Sequence, residues 1–263
     1  METSNYKIAV FTDLKDPQQK ILRNSIGLAR KLNGDIEVFH AKNPAEVVKT
    51  QNQLSARRTI NRMYAQTDNA IQKLIADLAE EHQIRIRHTF AMGNLKTEIA
   101  EFIDKVKPDL IVLGKRKSPA YKVFGDGITN FILKKFKGMV MIATDTKALD
   151  VDGNLSLGLL NSNGQALNNP IAEKLLKQSR DPLKSFSITK GPATSTTGSE
   201  LDGVSNIAYV FEHNDNAINN LSQYITRSKV DLLLVERNRM NSWDSSVKKA
   251  ISDLHVNVLM ANT

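Results

Sequence analysis

Cysteine is absent from this 263-residue chain, which excludes disulfides, thiolate zinc sites and cysteine nucleophiles and fits a reducing compartment. Aromatic residues make up only 6% of the chain, with one tryptophan, and no nucleic-acid motif is recognisable. Both facts argue against a nucleic-acid partner. No apolar run reaches the roughly 18 residues a membrane span needs, and no basic-then-apolar segment leads the chain. Neither a membrane partner nor a signal peptide is therefore expected. The five histidines (His40, His82, His88, His213, His255) are scattered, with no pair at metal-ligand spacing. Nothing resembles a Ser-His-Asp order, GxSxG, or two carboxylates sharing a loop, so hydrolytic machinery is not expected either.

What is present suffices for burial. At 41% hydrophobic residues the chain can build one large core or two small ones. A net charge of +8 could attract an anionic partner, but a lysine-rich solvated surface accounts for it. The clusters Lys115-Arg116-Lys117 and Lys134-Lys135-Phe136-Lys137 read the same way, the second also complementing a helix dipole.

The chain is organised around residues 108–144. A short apolar run, Leu110-Ile111-Val112-Leu113, stops at Gly114, and a loop with four cations, Pro119, Gly125 and Gly127 follows. Ile128, Phe131, Ile132 and Phe136 then recur at helical spacing before a second apolar run at 139–143. Buried strand, glycine-bearing loop, helix and buried strand make one βαβ crossover. In an open α/β sheet, ligands sit at the carboxyl ends of the strands, with phosphate against loop amides and a helix N-terminus.

Upstream, residues 6–12 (YKIAVFT) read as a strand ending at Asp13, and Asp16-Pro17 opens a helix that Asn33-Gly34 closes. Residues 36–40 are a second strand. A long helical segment follows over residues 44–81, regular from Ala56 and looser before it, with a break near residues 51–55 conceivable. Residues 84–90 alternate as a half-exposed strand, and Gly93-Asn94 caps a helix that Pro108 stops. At full length the 44–81 helix would overrun its own sheet, so its face of Met63, Tyr64, Ile71 and Leu74 is expected to bury against the second half or a second molecule.

Residues 145–154 are polar and contain Asp152-Gly153, as a linker would. The pattern then repeats: strands at 155–160, 185–189, 204–211, 231–235 and 256–260, helices at 166–178, 217–226 and 243–254. DLLLVERN aligns with DLIVLGKR, and VNVLMAN with MVMIATD, so the chain is an internal duplication. Residues 1–146 form one expected domain and 150–263 the other. Where the first half has its long helix, the second has GPATSTTGSELDG over residues 191–203, a loop by composition. The lost helix is expected to leave part of an apolar sheet face to be covered by something else, since exposed apolar area costs ~25 cal/mol per Å².

The central stretch resembles the universal stress protein family, which carries Gly-x2-Gly-x9-Gly followed by Ser or Thr after its fourth strand. Gly114 and Gly127 match the first and third glycines at that spacing. Lys117 stands in place of the second glycine and Ile128 in place of the hydroxyl residue, with Thr129 one position late. The resemblance implies a tandem chain of two doubly wound, five-stranded parallel α/β halves (Rossmann-like, like the adenine nucleotide alpha hydrolases) packed as an internal pseudo-dimer. In the family an acidic residue after the first strand contacts adenine, residues after the second strand line the base, and the glycine loop holds ribose and phosphates. Carried over, this places Thr12, Asp13, Ala41, Gly114, Lys117, Gly127 and Thr129 at a first-half site for ATP, with weak affinity because of Lys117 and Ile128.

In the second half, Asn161 replaces the aspartate and Glu236 the first glycine, and a carboxylate opposes phosphate. The resemblance further implies a cytoplasmic, non-catalytic stress-response or signalling protein with an unidentified protein partner and a conceivable homodimer. A scaffold with both sites lost and a slow ATP hydrolase on the same frame are the alternatives.

Overall fold

The computed structural model describes residues 5–14, 18–46, 53–115, 127–146, 148–162, 164–189, 200–201, 204–212, 217–237 and 254–262. The first half runs β1 (Tyr6–Phe11), α1 (Gln18–Leu32), β2 (Gly34–Lys42), a 3-10 turn, α2 (Gln53–His82), β3 (Ile86–Met92), α3 (Leu95–Val106), β4 (Leu110–Gly114), α4 (Gly127–Lys135) and β5 (Met139–Ala143). The second runs β6 (Leu157–Leu160), a 3-10 turn, α5 (Pro170–Lys177), β7 (Leu183–Thr189), β8 (Glu200–Leu201), β9 (Val204–Glu212), α6 (Ala217–Arg227), β10 (Leu232–Glu236) and β11 (Asn257–Ala261). The expected last helix at 243–254 lies almost entirely outside the described residues.

Local chemistry accounts for the element ends. Asn94 caps α3 by accepting from the Lys96 and Thr97 amides, and Lys107 closes it in the left-handed region. Asn169 and Pro170 act in the same way at α5, the Asn169 side chain accepting from the Ile171 amide. That cap also breaks the expected 166–178 helix into a 3-10 turn, Gln165–Asn168, followed by α5. A proline lacks the N–H that a continuous helix would need at position 170.

The strands form one sheet in the order β3-β2-β1-β4-β5-β11-β10-β6-β7-β9-β8. Each half contributes five parallel strands, and the two last strands meet antiparallel, with Met141 opposite Leu259 and Val140 and Ile142 opposite Met260 and Val258. The strand order reads outward identically from that ladder, so a pseudo-twofold axis passes between Met141 and Leu259. Helices α1, α2 and α5 cover one face and α3, α4 and α6 the other. With both faces covered, the inner strands are apolar throughout rather than alternating, and β5, β10 and β11 are buried along their whole length.

Three expectations change. Of the expected 44–81 helix, Pro44–Glu46 is a 3-10 turn, residues 47–52 lie outside the described residues, and helix α2 spans the thirty residues Gln53–His82, about 45 Å at ~1.5 Å per residue. Ile71 is buried and Leu74 packs against the core of its own half, Asp68 bonds His88 of β3 at 2.7 Å, Tyr64 rests on Phe90, and Arg23 of α1 pairs with Glu81. Met63 is half-buried and Tyr64 remains 46% exposed. The expected burial of this face against the second half does not occur, for a geometric reason. Helix α2 covers the outer edge at β3, whereas β9 lies nine strand spacings away, or roughly 43 Å at ~4.8 Å each.

On the face of β7 and β9 that matches the one covered by α2, apolar and polar residues are mixed: Leu183 is buried in the apolar layer and Val204 packs against it, whereas Ser185 and Asn206 are polar. Ser185 of β7 pairs with Ala208 of β9, and Asn206 donates to the Ser185 hydroxyl at 3.0 Å on that face. Strand alternation sends Phe186, Tyr209 and Phe211 to the opposite face, against Tyr224 of α6. By register, Ser185, Asn206 and Ala208 correspond to Val38, Ile86 and His88 of the first half, of which Val38 is buried and Ile86 and His88 are half-buried. Of the 191–203 stretch expected to be a loop, Glu200–Leu201 is strand β8, paired antiparallel with Val204 and Ser205, and the rest lies outside the described residues.

The linker is a pinned strap. Asn24 of α1 donates to the Thr144 carbonyl at 2.7 Å and accepts from the Leu149 amide at 2.8 Å, Lys31 holds the Gly153 carbonyl, and Leu149 is buried.

Candidate functional site

The strand order turns back on itself between β1 and β4, and the crevice at their carboxyl ends is where such folds take ligands. Phe11 and Leu113 are register partners, so Thr12 and Asp13 leave β1 beside Gly114 at the end of β4. The turn after β1 is tightly held. The Thr12 amide donates to the Phe39 carbonyl at 3.0 Å, and the Leu14 amide donates to Thr12 Oγ1 at 3.0 Å, with Leu14 at φ 59°. Behind this turn, His40 Nδ1 donates to the Thr12 carbonyl at 2.8 Å, and its ring stacks on Phe90. Burial holds the imidazole below the ordinary histidine value; the Thr12 carbonyl pulls the other way, Lys42 adds to the depression, and Asp13 opposes it. The neutral ring keeps its proton on Nδ1, and Asp13 is presented on a turn with its backbone groups engaged.

The remaining expected residues are less concentrated. Ala41 lies one strand away, half-buried on the α3 side of β2. Gly127 is the exposed first residue of α4, with open space around any added Cβ, and Thr129 is half-buried in the first turn. Ile128, between them, packs into the apolar layer beneath α4. Lys117 lies outside the described residues. Gly114 has a packing role of its own, since a Cβ there would overlap Ile21 Cδ1 of α1 and stand 3.2 Å from Ile21 Cγ1.

Two residues that sequence reasoning passed over belong to this neighbourhood. His40 counted as one scattered histidine, and its only signal was its place at the end of β2. Lys115 counted as part of a solvated basic cluster. Its amide donates to the Ala143 carbonyl and its Nζ donates to the Leu254 carbonyl of the second half at 2.7 Å.

The matching crevice of the second half repeats the backbone and changes the chemistry. The Asn161 amide donates to the Phe186 carbonyl at 2.8 Å, as Thr12 does to Phe39. Asn161 has φ 47°, and its Oδ1 accepts from the Ile188 amide. Glu236 ends β10 where Gly114 ends β4, is 1% exposed, and accepts a hydrogen bond from the Ser162 hydroxyl. A carboxylate buried at that position disfavours a phosphate.

Among the described residues, no cluster of three or more His, Asp or Glu side chains could hold a metal ion, and no helix is long and apolar enough to cross a membrane. A comparison with curated proteins gives no match in sequence. Among solved structures, a universal stress protein from Archaeoglobus fulgidus DSM 4304 superposes with TM-score 0.71 at 15% identity, covering 97% of this chain and 96% of that one. A putative universal stress protein from Pseudomonas aeruginosa UCBPP-PA14 follows with TM-score 0.57 at 14% identity, over 98% and 94% of the two chains. At such identities the likeness speaks for the fold. The family model of the universal stress protein family matches residues 5–144, more than half of the chain and all five strands of the first sheet half. The chain belongs to the universal stress protein family.

Proposed function

We propose that this chain is a non-catalytic, cytoplasmic stress-response or signalling protein that binds an adenine nucleotide such as ATP weakly, and in its first half only. The observation that carries the reading is the asymmetry of the two crevices. The first keeps Asp13 on a braced turn beside Gly114, whereas the second buries Glu236 where that glycine stands. Family membership supports the nucleotide class. A scaffold with no ligand is the second reading, favoured by Lys115, whose ammonium is engaged with the Leu254 carbonyl.

Calorimetric titration of the full chain with ATP tests this. One weak site per chain is expected, lost in Asp13→Ala and tightened by Lys117→Gly, because glycine lets backbone amides approach a phosphate. Regaining one charge-assisted hydrogen bond corresponds to about ten- to hundredfold in affinity. Ile128 is left in place, since its side chain packs into the core. Two equal sites per chain would refute the first-half assignment, the absence of binding heat would favour the scaffold, and steady phosphate release would refute the non-catalytic role.

A further inference from the structure

The two halves reach into each other at both flanks of the candidate site. Arg237, which follows β10, sends its guanidinium to the C-terminal end of α4, donating to the Phe136 carbonyl at 2.7 Å and the Gly138 carbonyl at 2.6 Å. Lys115, which follows β4, sends its ammonium to the Leu254 carbonyl at 2.7 Å. These contacts are pseudo-twofold mates. Arg237 and Lys115 each stand one residue past the fourth strand of their half, and Phe136 and Leu254 each stand three residues before the first residue of the fifth. Each half thus grips the carbonyl end that precedes the other's last strand.

For α4 the grip matters more than for a long helix. It has nine residues, below the roughly 12–15 at which an isolated helix begins to hold itself in water. Its last carbonyls lack partners within the helix, and the planar guanidinium meets that of Phe136, just past the last residue, and at 3.5 Å that of Leu133, while its other arm holds Gly138 in the turn to β5 and the charge sits at the negative end of the dipole. The first turn of α4 carries Gly127 and Thr129, and the end of β4 carries Gly114.

We infer that the second half serves as the positioning subunit of the first-half site: Arg237 sets the placement of α4 and Lys115 ties the end of β4 across the pseudo-twofold axis. The inference rests on the nucleotide reading for its ligand and on geometry for the positioning. It explains why a half whose own crevice is filled by Glu236 remains part of the chain, and it makes the ligand affinity of the first half depend on the docking of the second.

Full-length Arg237→Met and Lys115→Met are compared with Arg237→Lys and with Lys174→Met. Lys174 of α5 makes a similar bond between halves, to the Leu32 carbonyl at the end of α1, but on the opposite sheet face. Two readouts are taken, amide hydrogen exchange over residues 128–135 and the dissociation constant for ATP. Arg237→Met is expected to speed exchange in α4 and to weaken ATP binding, each by about tenfold, the worth of one lost charge-assisted hydrogen bond. Lys115→Met should weaken ATP binding without speeding exchange in α4. Arg237→Lys should fall between wild type and Arg237→Met, and Lys174→Met should change neither readout. Equal effects from Lys174→Met and Arg237→Met would overturn the inference, as would unchanged α4 exchange in Arg237→Met. If wild type gives no ATP heat, the nucleotide reading fails, and the exchange measurement alone still decides the positioning role. Should Arg237→Met not fold, the comparison of Arg237→Lys with Lys174→Met decides it by the same criteria.

Discussion

Gly114 answers two demands that the sequence cannot separate. By resemblance it is the first glycine of a phosphate loop; in the packed protein it is the position against which Ile21 of α1 rests. Gly114→Ala should therefore destabilise the fold by about 1–3 kcal/mol, the usual range for overpacking a tight site, whatever it does to a ligand. Gly127→Ala should leave stability nearly unchanged, because among the described residues nothing lies within 4 Å of an added Cβ there. Urea denaturation of the two variants checks this, and equal losses would contradict the packing account. His40 shows the opposite limit of legibility. A histidine at the end of an apolar run looks the same whether it is exposed, packed or bracing a turn, and only its 2.8 Å bond to the Thr12 carbonyl tells these apart.

At the scale of elements, the strap over residues 145–156 separates a polar composition from a flexible state. Asn24 is fully buried in α1 and joins three segments through Thr144, Leu149 and Asn257, whose Nδ2 donates to Asn24 Oδ1 at 3.2 Å. Asn24→Ala would leave the buried Leu149 amide and Thr144 carbonyl without this partner, at about 1–3 kcal/mol for each group. A total loss of about 2–6 kcal/mol is expected, together with faster proteolytic cutting within residues 145–154. An Asn24→Ala protein as stable and as resistant as wild type would show that the strap is held by Leu149 burial alone. The segment reads as a linker from Asp152-Gly153 because the bonds that pin it use its backbone groups, which every sequence shares. Helix α2 was legible as a long helix from its apolar spacing. Its partner was not, because the same stripe of Ile71, Leu74 and Leu78 would suit any apolar surface, and strand order alone sets which surface it meets.

The molecule as a whole is a single sheet. Both apolar layers run without interruption through both halves, one containing Ile8, Met141, Leu259 and Leu157, the other Ile111, Val140, Val258 and Phe186. Neither half can open without exposing the β5–β11 ladder, where Met141 and Leu259 are fully buried. Thermal unfolding is therefore expected as one transition whose calorimetric and van't Hoff enthalpies agree, near 0.7 kcal/mol per residue as is usual around ~60 °C. Two resolved transitions would show that the halves are independent bodies joined by the strap.

By itself, the sequence determined the α/β class, the two-half arrangement and the five parallel strands of each half. Each of these is written in local periodicity, in glycine and proline placement, or in the correspondence of DLIVLG with DLLLVE. It also marked Asp13 and Gly114, which the parallel order brings to neighbouring strand ends. Only the tertiary structure decided which strands join the halves, that α2 stays at its own edge, and that Ser185 and Asn206 bond to each other on a face they share with Leu183 and Val204. It alone turned Lys115 from a surface cation into a clasp between the halves and brought Arg237 to the Phe136 carbonyl as its mate. The physical reason is that a side chain's period along its own strand or helix is local, whereas its partner on a neighbouring element is set by tertiary packing, from 20 positions away for Asp68 and His88 to 139 for Lys115 and Leu254.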